Sequence, residues 1–255
     1  MRLLSAVAAL VALLASVCAT APARAEDFRA EQMKFPRVRK ASTAKGATVK
    51  ALFKDKQLAW PPSGVLVRVF KEEAILELWG RQKDGGYVLV KEYPVCASSG
   101  VPGPKRREGD LQVPEGFYAV NHFNPWSNYH LALGVSYPNT SDRVLGGKGP
   151  LGGQIYIHGK CVTIGCIPIE DEAIEEVYLA VLEARAAGQM EVPIHLFPTH
   201  LTEAALKRLA QEHGQAEALL AFWANLKEGY DLFEKDHRLP TINVDRKGRY
   251  RFAPR

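Results

Sequence analysis

A histidine and two cysteines stand within nine residues of one another: His158, Cys161 and Cys166. A thiol becomes a useful nucleophile only as the thiolate, and a nearby imidazole can take its proton. Gly165 precedes Cys166 and removes a side chain that would block a carbonyl approaching the Cys166 backbone N–H. Backbone N–H groups at such a turn can hold a developing oxyanion. Three readings of this stretch are open. His158, Cys161 and Cys166 are core residues of a buried strand; or they ligate zinc, although the CxxC pairing of structural zinc sites is missing; or His158 and Cys166 form a nucleophilic pair.

Positioning these residues requires a strand and a turn. Ile155-Tyr156-Ile157-His158 alternates as a half-buried strand does, and Gly159 lets the chain turn after it. Thr163-Ile164-Gly165-Cys166 follows a short loop. Other strand signals are Val65 to Phe70, Ala74 to Trp79, Tyr87 to Val95, Phe117 to Val120, Tyr129 to Tyr137 and Glu191 to Phe197, where Pro193 suggests an edge. The glycine-rich run from Gly146 to Gly153 reads as a surface loop or as a lid over the site. Glu170, Asp171 and Glu172 favour a helix start, Ile174 to Leu182 carries helical spacing, and Gly188 closes it. Thr202 caps a helix with Leu206 and Leu209, and Leu219 to Leu226 marks another that ends at Gly229. His195 alternates onto one side of the last strand. With His122 it is next in line should His158 not be the base. The pattern predicts an α+β fold: a β-rich catalytic domain over residues 63–197 with a helical C-terminal extension over 198–255.

The first residues are expected to form an export signal. Arg2 is its charged start, Leu3 to Val17 its apolar run, and Ala23-Arg24-Ala25 its small-x-small cleavage site, so residues 1–25 are expected to be removed. Val17 before Cys18 does not suit a lipid anchor. The run is short for a membrane span, and no later segment is apolar enough to be one. Of 33 basic residues, Arg2 and Arg24 leave with the signal, so 31 remain against 28 acidic ones, a net charge of +3. That balance does not argue for nucleic acid. Residues 26–62, rich in Lys, Arg, Ala and Pro, read as a basic arm leading into the domain, with a weak helical pattern near residues 39–55 from Val38, Val49, Leu52 and Phe53. Cys96, Cys161 and Cys166 survive cleavage. In an oxidising compartment Cys96 and Cys161 either pair, closing a loop of about 65 residues if their strands are neighbours, or stay as buried thiols.

These motifs resemble the L,D-transpeptidases of the YkuD type, and among them the YafK-like branch. The family's histidine strand and Ser/Thr-x-Gly-Cys loop correspond to His158-Gly159 and Thr163-Ile164-Gly165-Cys166. Most of the family has a second histidine where Ile164 stands. The shorter gap and the missing histidine are typical of the YafK-like branch. Tyr93 to Gly100, Gly103-Pro104-Lys105, Gly109-Asp110, Pro114 to Tyr118, Tyr137-Pro138-Asn139, Phe222-Trp223 and Gly229 to Asp231 are also similar to that branch. The resemblance implies a sandwich- or barrel-like β domain, no cofactor, a periplasmic setting and peptidoglycan stem peptides containing diaminopimelate as substrate. Cys166 would be the nucleophile and His158 the base. Gly165 and Thr163 would build the oxyanion turn, and Gly159 and Lys105 would belong to the substrate loops. The same thioester could pass to an amine or to water, so a hydrolase that detaches a peptidoglycan-linked lipoprotein is the alternative. A non-catalytic peptidoglycan-binding module is a third, against which the intact His158 and Cys166 argue.

Overall fold

The computed structural model describes residues 21–213 and 216–253. Its organising element is helix α4 (Asp171–Ala186), in which eleven consecutive residues, Ile174 to Ala184, are buried. An ordinary surface helix hides one stripe; this one is covered all round. A curled sheet wraps one side. On the other lie α1 (Ala21–Met33) and α2 (Pro36–Asp55). Three acids of α4 are buried with it, and each pairs with a different element. Glu175 meets His130 at 2.8 Å, Glu176 meets Lys91 at 2.6 Å, and Glu183 meets Arg29 at 2.7 Å. Buried carboxylates need such partners, so these pairs fix where the surrounding segments lie on the helix.

Residues 26–62 therefore differ from the arm expected. Val38, Ala41, Val49 and Phe53 of α2 recur at helical spacing and are fully buried in the main core, while Arg39, Lys40 and Lys50 are exposed and Lys45 pairs with Glu172 of α4. Gly80 shows how closely the end of this segment packs: a Cβ there would lie 2.3 Å from the Leu58 side chain and 3.0 Å from Phe53. The expected signal segment falls outside the described residues, except that 21–25 open α1. No helix among the described residues is long and apolar enough to cross a membrane.

The sheet contains β1 (Val65–Phe70), β2 (Ile75–Arg81), β3 (Tyr87–Pro94), β4 (Gly116–Asn124), β5 (Ala132–Val135), β6 (Tyr156–His158), β7 (Ile167–Pro168) and β8 (Pro193–Phe197), in the order β3-β2-β1-β8-β4-β5-β6-β7. Strand β1 is buried on both faces. Val65, Val67 and Val69 point into the α4 core, while Leu66 and Phe70 face the C-terminal region, as period-2 alternation requires. The sheet is mixed: β1 and β8, and β6 and β7, run parallel. It curls until its two ends meet, the Cys96 N–H after β3 donating to Pro168 O of β7 at 3.0 Å. Strand β8 is central, not an edge. Pro193 is its first residue and pairs only with β4, so its missing N–H costs no bond toward β1, whose pairing begins at Ile194.

The C-terminal region covers the other face with α5 (Glu203–Glu212) and α6 (Glu217–Asp236), and ends in the hairpin β9 (Thr241–Val244) and β10 (Tyr250–Ala253). Helix α6 runs through Gly229 where a stop was expected. A Cβ at Gly229 would sit 2.4 Å from the Phe252 ring and 2.7 Å from Phe117, so this glycine allows close packing instead of ending the helix. Trp223 is fully buried and donates to Glu115 at 2.8 Å. A further helix, α3 (Thr140–Leu145), is capped by reciprocal Asn139 and Asp142 bonds.

Candidate active site

Strands β6 and β7 set the site. Their parallel register pairs Ile157 with Ile167 and His158 with Pro168. One step back, Cys166 falls beside Tyr156. Extending strand alternation by that step puts Cys166 and His158 on the same face, diagonal to one another. Ile157 and Ile167 anchor the opposite face in the core.

His158 is almost fully buried. Its Nδ1 lies 2.5 Å from Gly159 O, which fixes Nδ1 as the donor and leaves Nε2 as the basic nitrogen. Burial lowers its pKa from the usual 6.5, and the Gly159 carbonyl partly opposes that. The Cys166 thiol donates to Gln154 O at 3.6 Å. Burial pushes its pKa up, offset in part by the Tyr156 backbone N–H. Both shifts favour a thiol beside a neutral imidazole over an ion pair.

The turn before Cys166 is built from Thr163. Its hydroxyl donates to Cys166 O at 2.8 Å and accepts from Gly165 N–H at 3.0 Å. The Gly165 N–H is thus engaged within the turn. Gly165 itself adopts φ +133° with Gln112 O only 3.1 Å from where a Cβ would stand, so no other residue fits without strain. Four non-glycine residues around the site also hold left-handed backbone: His130 (φ 72°), Gln154 (φ 55°), Lys160 (φ 59°) and Glu170 (φ 63°). Such conformations persist where surrounding contacts overdetermine them.

The other expected residues lie as follows. Gly159 is crowded: a Cβ there would be 2.5 Å from Asp171 Oδ1 and 2.9 Å from Tyr129 O. It serves packing at the turn. Lys105 is buried, with Nζ bonded to Asp110 at 2.6 Å and Arg107 O at 2.9 Å, so it braces its own loop. Cys96 and Cys161 are joined in a disulfide with Cα atoms 5.6 Å apart. Strand adjacency does not bring them together, since β3 and β6 are first and seventh in the sheet; the meeting of the curled ends does. His158, Cys161 and Cys166 do not converge on a common point. Among the described residues the group close enough for a metal is Cys96, Cys161 and Glu170, and two of its sulfurs are spent in the disulfide. His195 lies away from the site, fully buried against Phe117, Phe197 and Phe233, its pKa lowered to about 3 by burial and by Arg68. His122 is exposed on β4 with its ring 6.3 Å from that of Tyr156. Sequence reasoning missed Tyr129, which was placed in a strand. It sits in a turn, its ring lying 4.8 Å from the His158 ring at 31°.

This curled α+β architecture and its Gly-Cys turn agree with the sequence comparison. Residues 64–194 match the model of the L,D-transpeptidase catalytic domain, YkuD, and the chain belongs to that family. It is 38% identical over 190 residues to YafK of Escherichia coli (strain K12), which carries the name of an L,D-transpeptidase; the match spans 74% of this chain and 73% of the relative. Solved structures with a similar fold include the helical cell shape determining protein Pgp2 from Campylobacter jejuni, at TM-score 0.43 and 22% identity over 71% of this chain and 73% of that one. Bd1075 of Bdellovibrio bacteriovorus aligns at TM-score 0.39 and 19% identity, over 73% and 79%.

Proposed function

We propose that this chain is an exported cysteine acyl-transfer enzyme of peptidoglycan. Cys166 attacks the carbonyl of a peptide bond at a diaminopimelate-containing stem, and His158 is the general base. The observation that supports this reading is the β6–β7 register, extended one residue to Cys166, together with the Gly159 carbonyl that holds His158 Nδ1. The thiol turns from Gln154 O toward His158 Nε2 and gives up its proton as sulfur attacks. The tetrahedral oxyanion lies against the Cys166 N–H, because Thr163 already takes the Gly165 N–H. His158 then passes the proton to the leaving amine, leaving a thioester. An amine acceptor completes transpeptidation; water completes hydrolysis. The oxidised Cys96–Cys161 pair suits a periplasmic setting and leaves Cys166 as the free thiol among the described cysteines.

The test is turnover of defined muropeptides and of protein-linked peptidoglycan, with products identified by mass spectrometry. Cys166→Ala should abolish turnover in a folded protein. His158→Ala should lower the rate by about 10²–10⁴. Full activity in a folded Cys166→Ala protein overturns the mechanism. Cross-linked products show transfer, and released stems or proteins show hydrolysis.

A further inference from the structure

The N-terminal helices reach the turn before β5, beside His158. Arg37 of α2 donates from Nη1 to Ser127 O and to His130 O, both at 2.5 Å. The neighbouring Phe35 ring meets Trp126 edge-on at 5.7 Å. His130 Nε2 lies 2.8 Å from Glu175 Oε1 of α4. These contacts hold the turn from two sides and keep His130 in its left-handed conformation. Tyr129 stands between the anchored carbonyls, its outer side open to solvent and its ring 4.8 Å from that of His158.

The packing on the other side is equally close. Gly159 N–H donates to Leu131 O at 3.3 Å, and a Cβ at Gly159 would sit 2.9 Å from both Tyr129 O and His130 Cβ. The imidazole is thus fixed at Nδ1 by the Gly159 carbonyl and on one face by the Tyr129 ring. A base whose ring is free to rotate loses the geometry that makes it effective.

We propose that Arg37 and the His130–Glu175 pair are positioning residues for His158, acting through Tyr129, so that α2 is part of the catalytic apparatus. This rests on the acyl-transfer reading above. The experiment compares wild type with Arg37→Ala, Arg37→Lys and Tyr129→Ala in muropeptide turnover and in NMR spectra of histidine-labelled protein, the His158 signals being assigned with His158→Gln. Arg37→Ala should lower kcat by about tenfold to hundredfold with KM within about twofold. His158 should lose the upfield ring-current shift that Tyr129 imposes. Arg37→Lys should restore part of both, and Tyr129→Ala should reproduce both losses. Should Arg37→Ala not fold, Glu175→Gln loosens the same turn and is read the same way. Unchanged His158 signals in Arg37→Ala, or a kcat loss no larger than the loss of folded protein, overturns the proposal. If wild type turns over no muropeptide, the functional reading fails, while the His158 signals still decide the positioning.

Discussion

The resting protonation of the pair predicts how Cys166 reacts with an alkylating reagent. Burial raises its pKa above the ordinary 9.0, and the thiol donates to Gln154 O. The thiolate is then the minor form at pH 7, and its fraction climbs about tenfold per pH unit below the thiol's pKa. Iodoacetamide labelling should accelerate about a hundredfold between pH 6 and pH 8. Turnover should behave differently. It needs only a neutral His158, whose pKa lies below 6.5, so kcat/KM should be level above about pH 6.5 while labelling still climbs. The disulfide keeps Cys96 and Cys161 out of the reaction, so intact-mass spectrometry reads Cys166 among the described cysteines, and Cys166→Ala gives the background. Labelling that varies less than about threefold from pH 5 to pH 8 would mean a thiolate–imidazolium pair, and would refute the neutral resting state.

Two other outcomes follow from the buried groups. His195 has its pKa lowered to about 3. A base held neutral in the fold contributes no penalty above its unfolded value near 6.5 and costs about 1.4 kcal/mol per unit below it. At pH 4.5 it should remove about 3 kcal/mol of stability. Glu77, with its pKa raised, acts in the opposite direction, so the effect is isolated by urea unfolding of wild type against His195→Gln at pH 7 and 4.5; equal drops would contradict it. The Cys96–Cys161 bond closes a 65-residue separation, which the chain-entropy model values at about 4 kcal/mol. Cys161→Ser should lose a similar amount in urea unfolding, and non-reducing peptide mapping should recover the Cys96–Cys161 pair from wild type only.

The strands with unbroken or alternating apolar runs were legible, and so was the Gly-Cys turn, because those features are local. Val65 to Phe70 reads as a strand whatever surrounds it. Tyr129 and His130 were placed in a strand because their composition fits one, yet His130 has φ 72°. What overrides the local preference is distant in sequence: Arg37 on one side and Glu175 on the other. Gly229 and Pro193 misled for a related reason. Each residue type has two uses, as a breaker and as a fitting, and only the neighbour decides. Phe252 makes Gly229 a contact surface, and the start of pairing at Ile194 makes Pro193 harmless in a central strand.

The same argument explains why α2 looked like an arm. Its four buried residues are spread over sixteen positions, Val38 to Phe53, among Lys and Arg that dominate the composition. Helical spacing with so thin a stripe is weak evidence taken alone. It becomes decisive once α4 offers a face with few other partners. Helix α4 carries acids at positions that an amphipathic reading leaves in solvent, and the fold instead buries Glu175, Glu176 and Glu183. Burying three carboxylates is tolerable only because His130, Lys91 and Arg29 arrive from three separate segments. Two of those contacts bear on the positioning proposed for His158. Arg29 draws α1 onto α4 beside α2, and His130 sets the turn that lies on His158. In that proposal the N-terminal helices and His158 are linked through Arg37 of α2 and through α4, whose buried acids hold Arg29 on one side and His130 on the other.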